Sequence, residues 1–185
     1  TSVGSKQKDA AKLFAAFLHK PIKPNILFEN LVNVFGGNKS IEQKKTAKSS
    51  FDPEMGKKKP LRILLTEDNP VNQKVAMRML NKLGYRGDMA SNGQEAYEAV
   101  QRQQYDVILM DIQMPVMDGM VATQAIRKNI PAEKQPRIIA LTANALEGDR
   151  EKYLGVGMDD YMSKPVRIDK LVKTLSRTYD LLFAE

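Results

Sequence analysis

The feature of this 185-residue sequence that most constrains its fold is a regular alternation of short apolar runs with amphipathic segments. Strands that alternate with helices form βαβ units, in which the strands are parallel and helices cover both faces of the sheet. Right-handed crossovers then restrict the topology to a doubly wound α/β fold. The pattern predicts five strands, at residues 61–66, 85–90, 106–111, 137–142 and 160–163.

Five helices are predicted between and after these strands, several of them with a recognisable start. Asn69 is a candidate N-cap followed by Pro70 at the first helical position, and Asp118 with Gly119 opens the third helix. Apolar residues recur at helical spacing after Pro70 until Gly84 ends the pattern. The predicted helices cover residues 70–83, 93–103, 119–128, 147–154 and 168–179.

The net charge of +7 lies entirely in the N-terminal third of the chain. Residues 1–60 carry 12 Lys and Arg against 5 Asp and Glu, whereas residues 61–185 carry 17 of each sign. Residues 36–60 are polar, lysine-rich and interrupted by Gly, Ser and Pro, which is typical of a basic flexible linker. The lysine clusters have no interleaved aromatic residues, so no nucleic acid is expected as a partner. The folded domain is predicted to span residues 61–182.

Two further features of the composition narrow the class of protein. The chain has no cysteine, which excludes disulfides, thiolate metal sites and a cysteine nucleophile, and is consistent with a reducing compartment. Its apolar runs fall far short of the roughly 20 residues that cross a bilayer. We therefore expect a cytoplasmic location and no membrane contact by this segment. Whether a longer parent protein is membrane-anchored is left open.

Charged and hydroxyl side chains follow the ends of four predicted strands. The carboxyl ends of parallel strands meet at one edge of the sheet, where ligands bind in doubly wound folds. Crowded carboxylates without His or Cys suit Mg²⁺, with Mn²⁺ as an alternative, and the open metal positions would accept phosphoryl oxygens that a lysine and a hydroxyl could also bind. The residues concerned are Glu67, Asp68, Asp111, Thr142 and Lys164.

These residues stand within four longer motifs, which are Thr66-Glu67-Asp68-Asn69, Met110-Asp111 through Asp118-Gly119, Leu141-Thr142-Ala143-Asn144 and Ser163-Lys164-Pro165. The motifs resemble those of response-regulator receiver domains, most closely the receivers of hybrid sensor histidine kinases. The resemblance covers about residues 60–182 and implies a flavodoxin-like sheet of order 2-1-3-4-5. It also implies phosphorelay signalling, in which the domain takes a phosphoryl group from phosphohistidine.

The resemblance implies a role for each acidic residue of the site. Asp111 would be the phosphoacceptor nucleophile. Asp68 and Asp111 would bind Mg²⁺ directly, together with the backbone carbonyl of Gln113, and Glu67 would act through water.

The other implied roles concern the bound phosphoryl group and the response to it. Lys164 and Thr142 would bind the phosphoryl oxygens, with Pro165 joined to Lys164 by a cis bond. Thr142 and Tyr161 would change rotamer together as a switch. Two residues, Gln113 and Asn144, would tune hydrolysis of the acyl phosphate, and Pro115 would shape the loop after the acceptor.

The resemblance also implies what the domain works with. The partner would be a histidine kinase dimerisation domain or a histidine phosphotransfer protein, docked around the first helix near residues 71–79. Such a domain catalyses its own phosphorylation and dephosphorylates slowly, so its status as an enzyme is left open. The chain shows no kinase core, and the parent protein is expected to be a hybrid histidine kinase.

Residues 1–35 carry a faint repeat of the end of the domain. A shift of 144 positions aligns residues 17–21 with residues 161–165, including the Lys-Pro pair, and then Leu27 with Leu171. This predicts the C-terminal remnant of a preceding receiver-like domain. His19, the single histidine of the chain, falls in that segment and is interpreted as an incidental surface residue.

Two other functions remain as alternatives. Small-molecule phosphohydrolases with an aspartyl-phosphate intermediate typically place a second aspartate two residues after the nucleophile, where this chain has Gln113. A DNA-binding regulator would use the basic N-terminal third and would show steep salt dependence. Neither explains four motifs at the ends of four predicted strands, so the receiver interpretation is preferred.

Overall fold

A computed structural model describes residues 52–143 and 147–183. The predicted remnant at residues 1–35, most of the predicted linker, and Asn144 lie outside the described residues. The elements are α1 (Met55–Lys58), β1 (Ile63–Thr66), α2 (Pro70–Lys82), β2 (Gly87–Ala90), α3 (Gly93–Arg102), β3 (Val107–Asp111), α4 (Gly119–Asn129), a 3₁₀ turn (Ala132–Lys134), β4 (Arg137–Thr142), α5 (Glu147–Gly155), β5 (Asp160–Ser163) and α6 (Ile168–Phe183).

The five strands form one sheet in the order β2-β1-β3-β4-β5, and every pair of neighbours is parallel. This confirms the predicted α/β class and the strand order implied by the resemblance. All five predicted helices are present, and α6 extends beyond its predicted end at Tyr179. In the part of the chain that the structure describes, no helix is both long and apolar enough to cross a membrane.

Alternate side chains of the central strands enter two separate cores, one on each face of the sheet. Leu65 of β1 and Leu109 of β3 belong to the core covered by α2 and α6, whereas Leu64 and Ile108 belong to the core covered by α3, α4 and α5. β1 and β3 are therefore buried on both faces, which explains why their sequences are continuously apolar rather than alternating.

Side-chain caps begin the helices that follow β1, β2 and β3. Asn69 Oδ1 accepts from the N–H groups of Val71 and Asn72 at 2.9 and 3.3 Å. Asp118 Oδ1 accepts from the first turn of α4 in the same way, with both distances 2.9 Å. These bonds satisfy N–H groups that have no partner within the helix, and they confirm the two N-caps predicted from sequence.

The structure differs from the sequence prediction in the last part of the predicted linker. Residues 52–60 include α1, and Met55 is buried in the core beneath α2 and α6. The Gly56 N–H donates to the carbonyl of Leu83 at 2.8 Å. A single buried methionine among lysines gives no periodic signal, so sequence reasoning assigned this ordered segment to the linker.

Candidate functional site

The carboxyl ends of β1, β3, β4 and β5 surround a cleft of about 430 Å³. Its lining includes all five chemically active residues predicted from strand ends, so the structure brings the predicted set together. Other polar groups of α2 and α5 complete the wall. The lining residues are Glu67, Asp68, Asn69, Asn72, Asp111, Ile112, Gln113, Leu141, Thr142, Ala143, Lys152, Tyr153 and Lys164.

Lys164 joins the ends of three strands electrostatically. Its Nζ lies 2.6 Å from Asp111 Oδ2 and 2.7 Å from Glu67 Oε2. Asp111 and Glu67 are only 4% and 2% exposed. A single ammonium group thus bridges two buried carboxylates, which would otherwise repel one another across the sheet edge.

Burial and charge act in opposite directions on these groups. Burial raises the pKa of Asp111, and the negative charge of Glu67 adds to this, while the hydrogen bond and charge of Lys164 lower it; the net pKa lies above the ordinary value. Burial lowers the pKa of Lys164, but hydrogen bonds to Asp111 and Glu67 outweigh it and raise that pKa. Lys164 therefore stays protonated, and Asp111 is held in a site where its negative charge is incompletely compensated.

Glu67 is positioned by the first turns of α2. Asn72 Nδ2 donates to Glu67 Oε1 at 2.8 Å, and Gln73 Nε2 donates to the Glu67 backbone carbonyl at 2.6 Å. Sequence analysis did not single out these two amides. Their spacing of five and six residues from Glu67 was the available signal, because it places them one turn into a helix that starts beside the strand end.

The acidic cluster fits a divalent cation. Oxygen atoms of Glu67, Asp68 and Asp111, one from each, all lie within 4.8 Å of one another. Asp68 is exposed whereas the other two are buried, so the cluster opens towards solvent on one side. An all-oxygen site with an open side suits Mg²⁺, which keeps several waters when bound to one or two protein carboxylates.

The backbone around Asp111 is closely packed. A Cβ atom at Gly119 would lie 2.1 Å from the Asp111 carbonyl oxygen, so only glycine fits there. The Gln113 N–H donates to Asp111 Oδ1 at 3.3 Å. Beyond Pro115, Val116 has φ of 68° and its side chain is exposed, which makes this loop a strained turn beside the acceptor.

The other predicted residues that the structure describes lie around the same strand ends. The Lys164–Pro165 bond is cis. Thr142 is buried, and its Oγ1 lies 2.9 Å from the hydroxyl oxygen of Tyr153 in α5, a residue that sequence analysis missed. Tyr161 is half-buried against the core covered by α3, α4 and α5. The switch role of Thr142 and Tyr161 and the tuning role of Gln113 stay predictions.

A second, more apolar depression of about 450 Å³ adjoins the cleft along α2. Val75 lines it, and Val71, one turn earlier, is among the most exposed apolar residues of the described chain. Glu67 and Lys164 line both depressions. The apolar surface of α2 is therefore continuous with the acidic cleft.

Comparison with known proteins places this architecture in a family. The model of the response regulator receiver domain matches residues 63–176. Histidine protein kinase 1 of Candida albicans is 38% identical over 174 residues, which are 85% of this chain and 6% of that protein. Among the first curated relatives, the chain spans between 4% and 17% of their own lengths.

Two solved structures are similar over most of their length. The receiver domain of the sensor histidine kinase PA1611 from Pseudomonas aeruginosa, solved with magnesium in its active-site cleft, is 49% identical with a TM-score of 0.59, covering 64% of this chain and 97% of that one. The receiver domain of Ssk1, solved together with the histidine phosphotransfer protein Ypd1 from Saccharomyces cerevisiae, is 30% identical with a TM-score of 0.61, covering 66% and 90%. This chain therefore belongs to the family of response regulator receiver domains.

Proposed function

We propose that Asp111 of this receiver domain accepts a phosphoryl group from a phosphohistidine, with Mg²⁺ as cofactor. The observation that carries the proposal is Lys164, whose ammonium group bridges the buried carboxylates of Asp111 and Glu67 at the edge of the sheet. That arrangement supports the proposal, because the proposed nucleophile, a cationic side chain and a cluster of carboxylates that could hold a metal ion share one solvent-open cleft. It supplies the parts that phosphoryl transfer needs, which are positioning and charge stabilisation.

Each residue then has a defined task in the transfer. An oxygen of Asp111 attacks phosphorus, the phosphorus–nitrogen bond to the donor imidazole breaks, and the imidazole nitrogen keeps the electron pair and takes up a proton. Asp68, Asp111 and the carbonyl of Gln113 would hold the metal, with Glu67 acting through water. A divalent ion held there would neutralise charge on the phosphoryl oxygens.

Other residues respond to the new acyl phosphate. The Lys164 ammonium group, which is paired with the Asp111 carboxylate before transfer, pairs with the phosphoryl oxygens after it. Thr142 turns its hydroxyl to the same group, and Tyr161 changes rotamer with it, which alters the surface formed by the last helices. Gln113 and Asn144 set how fast water removes the phosphoryl group.

The partner in this proposal is a histidine phosphotransfer protein or the dimerisation domain of a histidine kinase. The similarity to a receiver solved with such a phosphotransfer protein supports the first. The parent protein is a hybrid histidine kinase acting on the cytoplasmic side, and the domain itself binds no nucleic acid. The apolar surface of α2, next to the cleft, is the docking surface.

Intact-mass spectrometry after incubation with Mg²⁺ and phosphoramidate tests the chemistry. We expect one phosphoryl group per chain, abolished by chelation and by Asp111→Asn. Asp118→Asn is the matched control, because it changes a nearby aspartate of the same loop while keeping an oxygen that can cap α4. Persistence of the adduct in Asp111→Asn, or its absence from the unmodified chain with every small donor, would refute the proposal.

A further inference from the structure

The hydroxyl groups of Thr142 and Tyr153 form a buried pair beside the phosphorylation site. Their oxygen atoms are 2.9 Å apart, and each residue is only 5% exposed. Both residues line the cleft that contains Asp111 and Lys164. Tyr153 lies on α5, so this hydrogen bond connects the end of β4 to that helix.

Threonine cannot keep this bond while turning its hydroxyl elsewhere. Rotation about χ1 moves between discrete staggered positions, and in a β-branched residue a methyl group can take the place that the hydroxyl leaves. If Oγ1 turns to the phosphoryl group, the hydroxyl of Tyr153 loses this partner, although Tyr153 is only 5% exposed. A buried hydroxyl without a partner costs more than the bond itself contributes.

We propose, on the basis of the function proposed above, that Tyr153 is a positioning residue that holds Thr142 in its unphosphorylated rotamer. Phosphorylation of Asp111 then competes with Tyr153 for the Thr142 hydroxyl. When Thr142 Oγ1 binds the phosphoryl group instead, the Tyr153 hydroxyl must find a new hydrogen-bond partner, and α5 moves with the Tyr153 side chain. Tyr153 thus disfavours phosphorylation of Asp111 and couples it to the position of α5.

The test removes one oxygen atom and keeps the ring. We expect Tyr153→Phe to accept phosphoryl groups from phosphoramidate with Mg²⁺ about two- to tenfold faster than the unmodified chain, the factor that corresponds to one neutral hydrogen bond. In a Thr142→Val background, Tyr153→Phe should change nothing further, because the hydroxyl that it held is gone. Phosphorylated fractions over time are read by intact-mass spectrometry.

Tyr105→Phe is the matched control. Tyr105 is equally buried and its hydroxyl donates to Asp88 at 2.8 Å, but it does not line the cleft. It should leave the rate unchanged. An unchanged or slower rate in Tyr153→Phe, or the same acceleration in the Thr142→Val background, overturns this inference while the proposed function stands. Failure of the unmodified chain to form an adduct would overturn the proposed function and this inference with it.

Discussion

Asp111 is held in a site that raises its pKa above the ordinary value of an aspartate. Three carboxylates and one lysine leave the cluster with excess negative charge, and burial of Asp111 adds a desolvation cost for its ionised form. The site is therefore incomplete without a cation, and the folded domain gives up stability to keep a reactive carboxylate there.

Replacing Asp111 with asparagine should stabilise the domain at neutral pH. The raised pKa of Asp111 means that its protonated form contributes stability fully present below the ordinary pKa and lost as pH rises through the folded pKa. We expect Asp111→Asn to increase the free energy of unfolding by about 1 kcal/mol at pH 7. Urea titrations from pH 3 to pH 7, without metal, should show this difference vanish below pH 4. Destabilisation at pH 7 would show that the Lys164–Asp111 bond outweighs the cost of burial.

Mg²⁺ should stabilise the folded domain through the acidic cluster. A ligand at ten times its Kd adds about 1.4 kcal/mol, which raises the melting temperature by roughly 4–8 °C in a small domain. Asp68→Asn should abolish this shift, because it removes one carboxylate of the cluster. Asp68 is the exposed member of the cluster, so its replacement should disturb the metal-free fold little. Glu151→Gln, an exposed acidic residue of α5 outside the cleft lining, should keep it. Equal shifts in both variants would place the metal elsewhere.

At the scale of elements, α1 and the residues around it attach the chain before β1 to α6 and to the connection between α2 and β2. Lys59 Nζ lies 2.6 Å from Asp180 in α6, and the Tyr85 hydroxyl donates to the Lys59 carbonyl at 2.9 Å. The backbones of Gly56 and Gly84 approach so closely that a Cβ at Gly56 would lie 2.3 Å from the Gly84 carbonyl oxygen. The segment therefore contacts both the α2–β2 connection and the last helix.

This close approach can be tested with one methyl group. We expect Gly56→Ala to lower the free energy of unfolding by about 2 kcal/mol, because neither backbone can move away without losing the Gly56–Leu83 hydrogen bond or the burial of Met55. Gly155→Ala at the end of α5 is the control, since an added Cβ there meets nothing within 4 Å. Equal urea midpoints for the two variants would mean that α1 is not part of the cooperative fold.

Sequence patterns predicted the elements whose strong local signals agree with the global fold. The strand ends at Asp111 and Thr142 and the cap at Asn69 were predicted because burial on both faces and capping chemistry leave local signatures. Contacts between elements that are far apart in the sequence leave no such local signature. Tyr153 reaches Thr142 because α5 packs against the end of β4, and Met55 is buried beside the close approach of the Gly56 and Gly84 backbones.

At the scale of the whole molecule, the cleft and the α2 surface form one continuous approach for a partner. Val71 and Val75 expose apolar surface next to the opening, while α2 has three basic residues and no acidic one. The basic residues, all exposed, are Lys74, Arg78 and Lys82. An apolar centre with a basic flank fits a partner whose own apolar patch has an acidic flank, and such pairing speeds association at low salt.

Transfer from a protein donor should therefore depend on α2, whereas transfer from a small donor should not. We expect Val75→Asp to slow phosphoryl transfer from a phosphorylated histidine phosphotransfer protein by at least about tenfold, since it would bury an unpaired charge at the centre of the proposed interface. Phosphoramidate labelling should be unchanged. Val121→Asp is the matched control, because Val121 is 47% exposed against 46% for Val75 and belongs to α4, which covers the opposite face of the sheet from α2. Rapid-quench measurements of the two variants separate the outcomes: slowing of Val75→Asp alone supports docking on α2, whereas equal rates would move the docking surface to another face of the domain.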